Sequence, residues 1–350
     1  MRMIKYPSIE QFKSVIINVQ HKSRYKGKDE NGEPIYDNLT KLPTLKFRGT
    51  EKLHGTNAAV GYDSSGNIWF QSRENIITPE KDNAGFAMFA HSKLSLFKNI
   101  FNDLSYLVDL EETESFMIYG EWCGGNIQKG VAISGLPKMF IIFDMAIVDS
   151  DGNKNWFSEE GRTYTFRNEQ LFKQNNIFHI SDFKTWEIDI DFNNPHIAQN
   201  ELIKLTLEIE NQSFVGKHFG NEGIGEGIVW KCINDGYNDS GFWMKVKGEK
   251  HAGSSKVKVL APIDVEKVEN LNKLIEQITP EWRMQQMLQK TFNTLNGGEV
   301  SIKGTGDFIK NTMSDILKEE LDVIAASGFT TKDIGSGVAK VCREYLNKQL

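Results

Sequence analysis

The chain has little cysteine, no long apolar run and no glycine-rich phosphate loop, and each shortage removes a class of protein. Its three cysteines, Cys123, Cys232 and Cys342, are spread through 350 residues, and none has the close partner that a zinc site needs. So sparse and odd a set reads as reduced thiols in a cytoplasmic setting rather than a disulfide framework. Cys123 and Cys232 read as small core hydrophobes. No eighteen-residue apolar stretch appears, so no membrane span is expected. The opening MRMIKYPSIEQFK lacks the apolar core and small-residue cleavage site of a secretory signal. Without a glycine-rich loop of either standard type, a kinase-like nucleotide binder is disfavoured. Neither an internal repeat nor a low-complexity tract is present.

The length suggests one large domain and one small one. The net charge of −6 argues at first against nucleic acid. That total averages opposed regions: 41–48 and 244–258 are basic, whereas 109–114 and 318–322 are acidic. Local charge decides binding, so a nucleic-acid partner in one groove is permitted and not demanded. Residues 44–73 read as a strand, a tight connection and a hairpin around SSGN. Residues 86–108 read as a helix, and 159–176 and 201–210 as further helices. Strand patterns appear at 116–122, at 139–148 (an apolar run expected of a strand buried on both faces), at 226–233 and at 241–248. Beyond about residue 260 the apolar spacing is helical throughout, with Thr279 as an expected N-cap and Pro280 at a first helical position. The segment HAGSSKVKVLAP is the expected hinge.

One stretch carries chemistry that a surface strand does not need. In FRGTEKLHGTNAAVGYD, Lys52 follows an apparent strand, with Glu51 before it and His54, Gly55 and Asn57 just after. A lysine there is most often a solvated residue. Yet Lys-x-x-Gly is also the nucleophile element of enzymes that form a lysine–nucleotide phosphoramidate, and further elements follow in order. YGEWCGG places Glu121 at a strand end before glycines, IIFDM places Phe143 and Asp144, GEGIVWK places Glu226 and Lys231, and WMKVKG places Lys245 and Lys247. Residues two apart in a strand share a face, so Lys245 and Lys247 point the same way, which suits a polyphosphate. Each element has a plain alternative. Phe143 and Asp144 read singly as a core aromatic and a strand-end turn cap, His54 as a loop histidine, Glu121 as a strand-edge charge, and the lysines at 245–258 as a solvated face. Those separate readings must all hold at once to imitate one ordered pattern.

Together the elements resemble the ATP-dependent RNA ligases, in particular the nick-sealing type of the T-even bacteriophages and the trypanosome RNA-editing ligases. The resemblance runs over about 44–250 by motif, and over the tail by architecture alone. It implies an α+β fold, with an adenylyltransferase domain of antiparallel sheets and flanking helices over 1–258 and a small all-helical domain over 259–350. It implies Lys52 as the nucleophile that takes AMP from ATP and passes it to a 5′-phosphate, which a 3′-hydroxyl then attacks. Glu121 and Arg73 would meet the ribose and Phe143 would stack on adenine, while Glu51, His54 and Asn57 would line the nucleotide pocket. Lys231, Lys245 and Lys247 would grip phosphate oxygens, and Glu226 would face Mg²⁺ or Mn²⁺. The partner would be RNA, as a nicked duplex, with DNA strands an alternative, and the chain would act as a monomer. An asparagine- and lysine-rich, proline-poor composition suits an AT-rich genome such as a phage's, which would place the protein in the host cytoplasm.

An unperturbed lysine, with a pKa of ~10.4, is neutral about once in several thousand molecules at pH 7. Nearby cations and partial burial favour the neutral amine, so a divalent-metal requirement and a rate rising above neutral pH are expected. Messenger-RNA capping enzymes and DNA ligases usually carry Asp at the position of His54 and a β-rich module after the last lysine strand, whereas the tail here is helical. A non-catalytic RNA-binding scaffold would lack the nucleophile or the paired lysines, and neither is missing. The polar segment 21–43 is longer than the resemblance leads one to expect, and it reads as a surface loop or a substrate contact.

Overall fold

The computed structural model describes residues 2–106, 108, 110–112, 114–125, 127–157, 169–248, 264–294 and 297–350. The chain divides into two compact units, Met1–Asn18 with Thr44–Ala261 and Val19–Pro43 with Pro262–Leu350. The expected hinge and the boundary expected after residue 258 lie outside the described residues.

A helix, α1 (Phe12–Arg24), leads from the first unit into the second, to which the hairpin of β1 (Tyr25–Lys28) and β2 (Pro34–Tyr36) belongs, so that the unit holding the tail is not all-helical as expected. Then follow, in the first unit, β3 (Thr44–Glu51), β4 (Thr56–Asp63), β5 (Ile68–Ser72) and β6 (Ile76–Ile77). The helix expected over 86–108 is two, α2 (Phe86–His91) and α3 (Leu94–Ser105), broken at Ser92 and Lys93. Next come β7 (Ser115–Cys123), β8 (Met139–Val148) and β9 (Lys154–Trp156). Of the helix expected over 159–176, residues 159–168 lie outside the described residues, and the rest contains α4 (Glu169–Gln174). The unit continues with β10 (Ile177–His179), β11 (Thr185–Asp191), α5 (Ala198–Asn211) and α6 (Phe214–His218), and ends in β12 (Gly227–Cys232) and β13 (Trp243–Lys247).

Two sheets organise this unit. The larger runs β10-β8-β7-β4-β5-β6 with β9 on β8, and the smaller runs β11-β3-β12-β13. Pairing is antiparallel as expected, except that β10 lies parallel to β8. Strand alternation distributes the core. On β7, Phe116 and Ile118 pack with Phe97 and Phe101 of α3 on one face, while Met117 and Tyr119 pack with Trp69 on the other. That two-sided burial is why β8 reads as an apolar run interrupted only by Asp144.

One residue of β8 escapes it. Tyr119 pairs with Asp144 and Gly120 with Ile142, so Phe143 is an extra, unpaired residue. It is also the one residue of β8 that is not fully buried. A bulge of this kind re-aims a side chain, and here the side chain is an aromatic ring.

In the second unit, α7 (Val265–Ile278), α8 (Glu281–Phe292), α9 (Thr305–Glu319), α10 (Leu321–Ala326) and α11 (Thr331–Asn347) enclose a core that includes Leu274, Met284, Phe308, Ile316 and Val338. The expected helical tail is therefore present, with one correction at a cap. Thr279 closes α7, its hydroxyl donating to the Ile275 carbonyl at 2.6 Å, and the extended Pro280 is the residue that precedes α8. Threonine here returns its hydroxyl to the preceding turn instead of accepting from the next one. Buried Arg283 joins this unit internally, donating to Asp315 at 3.0 Å, to Glu320 at 2.7 Å and to the Ile278 carbonyl at 2.6 Å. Among the described residues no helix is long and apolar enough to cross a membrane.

Candidate active site

Alternation sets the direction of Lys52. Glu51 and Leu53 both point inward, 4% and 6% exposed, so the residue between them points the other way. Glu51 is held firmly: it accepts from the Ser213 hydroxyl at 2.5 Å and from the backbone N–H groups of Phe214 and Val215 at 2.8 and 3.0 Å. Those N–H groups open α6, where a carboxylate is favoured. Burial raises the Glu51 pKa, and the bonds from Ser213, Val215 and Phe214 work against that rise. Leu53 packs in a core cluster with Val215 and Ile141. The Lys52 N–H donates to the Gly227 carbonyl at 2.8 Å.

Gly55 is needed for a reason internal to the protein. A Cβ there would lie 2.4 Å from the Trp122 carbonyl oxygen and 2.8 Å from the Cys123 Cβ. The close approach is to β7. It lets the Gly55 N–H donate to the Glu121 carboxylate at 2.9 Å.

Because β12 lies between β3 and β13, three ends converge. Gly227 pairs with Lys247, and Ile228 pairs with Glu51. Glu226, just ahead of β12, therefore meets Lys52 at 2.7 Å, Lys247 at 2.6 Å and the His54 Nδ1 at 3.2 Å. Burial alone would raise the Glu226 pKa. The bond to His54, the charge of Lys52 and the bond to Lys247 outweigh it and hold the carboxyl well below the usual carboxylate range.

Beside this cluster lies a cavity of about 340 Å³ lined by Glu51, Lys52, Asn57, Arg73, Glu121, Phe143, Lys231 and Lys245. Its size is that of a small-molecule site. Of the residues singled out from sequence, eight line the cavity, and His54, Glu226 and Lys247 instead form the ion cluster on Lys52. The Glu51 carboxylate is committed to α6, and the Arg73 side chain is largely exposed. The Lys245 pKa is lowered by burial, then by the charges of Lys247, Lys52 and Arg73, with Glu10 opposing.

Two functional contacts were not legible. Asp144 is no turn cap: it is buried within β8 and accepts from both Lys231 and the Tyr6 hydroxyl. An aspartate inside an apolar run needs a charged partner, and that was the available signal. Lys231 also lies 4.6 Å over the Trp243 ring and 5.7 Å over the Phe143 ring. Tyr6 comes from an N-terminal arm along β13, where Glu10 N–H donates to the Trp243 carbonyl and Lys245 N–H to the Glu10 carbonyl, at 3.2 and 2.9 Å. Its ring meets Phe143 edge-on at 4.9 Å. Cys123 is buried, and burial followed by the charges of Glu121 and Glu51 pushes its thiol pKa up, as suits an inert core residue.

Glu121 supplies a pH prediction. Burial pushes its pKa up to about 7, against the pull of Lys52 and the Gly55 N–H. A carboxyl raised this way gives stability that is complete below the unfolded value near 4.5 and is lost as pH rises through about 7. Thermal unfolding of Glu121→Gln should therefore lack this loss, so the variant gains on the wild type between pH 5 and pH 8. A constant difference across that range would refute the assignment.

The family model described as RNA ligase matches residues 45–247. Solved structures of an RNA ligase from Naegleria gruberi are similar. One mutant form with ATP and Mn is 17% identical, covering 73% of this chain and 60% of that one with a TM-score of 0.43. The form with PPi is 17% identical over 73% and 61%, with a TM-score of 0.42. Another mutant form with AMP and Mn is 16% identical over 74% and 60%, with a TM-score of 0.43. The chain thus spans about three-fifths of the length of those ligase chains. No curated relative matches it by sequence.

Proposed function

The chain belongs to the RNA ligase family, and on that premise we propose that it is an ATP-dependent RNA ligase working through a lysyl-AMP on Lys52. The observation that carries this reading is the placement of the Lys52 amine, on the wall of a nucleotide-sized cavity and among Glu226, Lys247 and Lys245. The Lys52 nitrogen lone pair attacks the α-phosphorus of ATP. A nitrogen–phosphorus bond forms, the bond to the pyrophosphate oxygen breaks, and the amine proton leaves to solvent. The AMP then passes to a 5′-phosphate, and a 3′-hydroxyl displaces it to close the strand.

The residues divide this work. Phe143, turned out of its strand by the bulge, offers a ring face to adenine. The Glu121 carboxylate accepts from ribose hydroxyls, and Arg73 lies on the same wall. Lys231 and Lys245 meet phosphate oxygens and stabilise the charge that builds on them during transfer. In the free protein Lys52 is paired with Glu226, so attack requires that pair to open and the ammonium to lose its proton. Glu226, held far below the usual range, is a poor acceptor for that proton.

A divalent cation fits one donor here. Glu226 is a single carboxylate, and among the described residues no group of three or more His, Cys, Asp or Glu could hold a metal. That suits a hydrated Mg²⁺ or Mn²⁺ shared between one carboxylate and substrate phosphates. When bound, the ion would neutralise phosphate charge and compete with Lys52 for Glu226. Chelation with EDTA should abolish AMP transfer, and excess Mg²⁺ should restore it. Transfer unchanged by the chelator would remove the metal from the scheme.

The nick-sealing type of the T-even phages is the branch we favour, because among the described residues helices and no strands follow the last lysine strand. Intact-mass spectrometry with ATP or GTP, then ligation of nicked RNA and nicked DNA duplexes, tests the reading. Transfer of GMP alone would favour a capping reaction, and sealing of DNA alone a DNA ligase.

A further inference from the structure

The β1–β2 hairpin and the last turn of α1 carry chemistry that AMP transfer does not use. His21 stacks on Tyr25 with centroids 5.3 Å apart and planes 11° apart. Tyr36 meets both rings edge-on, 5.4 Å from His21 and 5.9 Å from Tyr25. Tyr25 and Tyr36 are direct partners across the ribbon, yet each is 38% exposed. A cross-strand aromatic pair helps a two-stranded ribbon that would otherwise be marginal. It does not account for three rings whose outer surfaces stay in water, beside the exposed Ile35 and Leu39.

Basic residues run along the same segment. Lys22, Arg24 and Lys26 flank the aromatic residues at the hairpin base, and Lys28 closes β1 opposite Pro34. The acidic groups belong to the turns. Asp29 accepts from the N–H groups of Asn31 and Glu33, both at 2.8 Å, with Glu30 in the same tip. Asp37 accepts from the Leu39 N–H at 3.0 Å and the Thr40 hydroxyl at 2.8 Å. Asp37 follows Tyr36 at the base, its carboxylate taken up by its own turn, and rings flanked by cations with the carboxylates held in turns are the pattern of a surface that meets stacked bases on a phosphate backbone.

We propose that this hairpin is a stacking platform for unpaired bases of an RNA strand, with Tyr25 and Tyr36 at its base supplying ring faces and Lys26 and Lys28 along β1 meeting phosphates. The inference rests on the reading of the chain as an RNA ligase, which makes RNA the strand it meets. It also resolves the two readings of 21–43 in favour of a substrate contact.

The test is fluorescence anisotropy with a labelled single-stranded RNA of about twelve nucleotides, within the span one such surface covers, and the intact chain. Tyr25→Ala/Tyr36→Ala should raise Kd about thirty-fold or more, the scale of two lost stacking contacts. Tyr25→Phe/Tyr36→Phe should stay near wild type, and Lys26→Ala/Lys28→Ala should flatten the salt dependence. Unchanged affinity in the alanine variant, or an equal loss on a blunt RNA duplex, overturns the proposal. Should the alanine variant fail to fold, photocrosslinking of 5-bromouridine RNA to the wild type decides. Adducts at Tyr25 or Tyr36 support the platform, and adducts confined elsewhere overturn it. The mass gain with ATP, read on the same preparations, separates the two readings. Loss of that gain with RNA binding intact defeats the ligase alone, and a normal gain with binding insensitive to the rings defeats the platform alone.

Discussion

Replacing Lys52 with alanine should eliminate the mass gain of one AMP that the wild type shows with ATP and a divalent cation, while leaving the fold in place. The side chain is 24% exposed and among the described residues its Nζ has one ion-pair partner, Glu226, which keeps Lys247 at 2.6 Å and His54 at 3.2 Å when Lys52 is gone. Stability should therefore shift little, since the carboxylate is not left unpaired. Transfer should fall by roughly 10⁴-fold or more, the scale of losing a covalent nucleophile. Lys52→Arg sharpens the result. It preserves the charge and the pair with Glu226, but a guanidinium does not give up a proton at ordinary pH. If Lys52 acts only as a cation for phosphate, arginine should retain much of the activity. If it is the nucleophile, arginine should be as inactive as alanine. Mass gain in either variant would move the covalent step to another residue.

How much of this was readable before the structure differs by element. The strands that carry the site declared themselves by alternation and by motif order, and the helical tail by its apolar spacing. The edge strand β11 did not, although Thr185–Asp191 alternates, because its outward residues are mostly acidic and disfavoured in strands. The arm that brings Tyr6 to the cavity has no regular element of its own, so its contacts follow from tertiary packing alone. The bulge at Phe143 was equally invisible: an apolar run gives no sign of which residue is the unpaired one, and that depends on the register with β7. Gly55 shows the converse. Its necessity was evident from the motif, but the physical reason is the Trp122 carbonyl oxygen behind it. Motif order thus pointed to residues that the fold brings to one cavity, and long-range packing decided what each residue touches.

Glu51→Ala should be the most destabilising single change at the site, for the same long-range reason. Its carboxylate serves three donors, the Ser213 hydroxyl and the N–H groups of Phe214 and Val215, in a place with almost no water. Hydrogen bonds to a charged group are worth about 1.5–3 kcal/mol each, and buried donors left unmatched cost about 1–3 kcal/mol. Relief of the carboxylate's own burial cost offsets part of this loss, so a net effect of about 3 kcal/mol is expected. In a unit of this size that lowers Tm by roughly 6–12 °C. Glu51→Gln keeps the shape and one strong acceptor, and should fall between alanine and wild type. The change should also reach the chemistry. Glu51 and Leu53 are the two inward anchors that leave Lys52 facing the cavity, and α6 is what Glu51 holds. AMP transfer measured well below the variant's Tm should therefore be slower than wild type even though no nucleotide contact has been removed. A variant with normal Tm would show that α6 is held by other contacts. Lowered Tm with normal transfer would show that the orientation of Lys52 is set by Leu53 and the backbone bond to Gly227 alone.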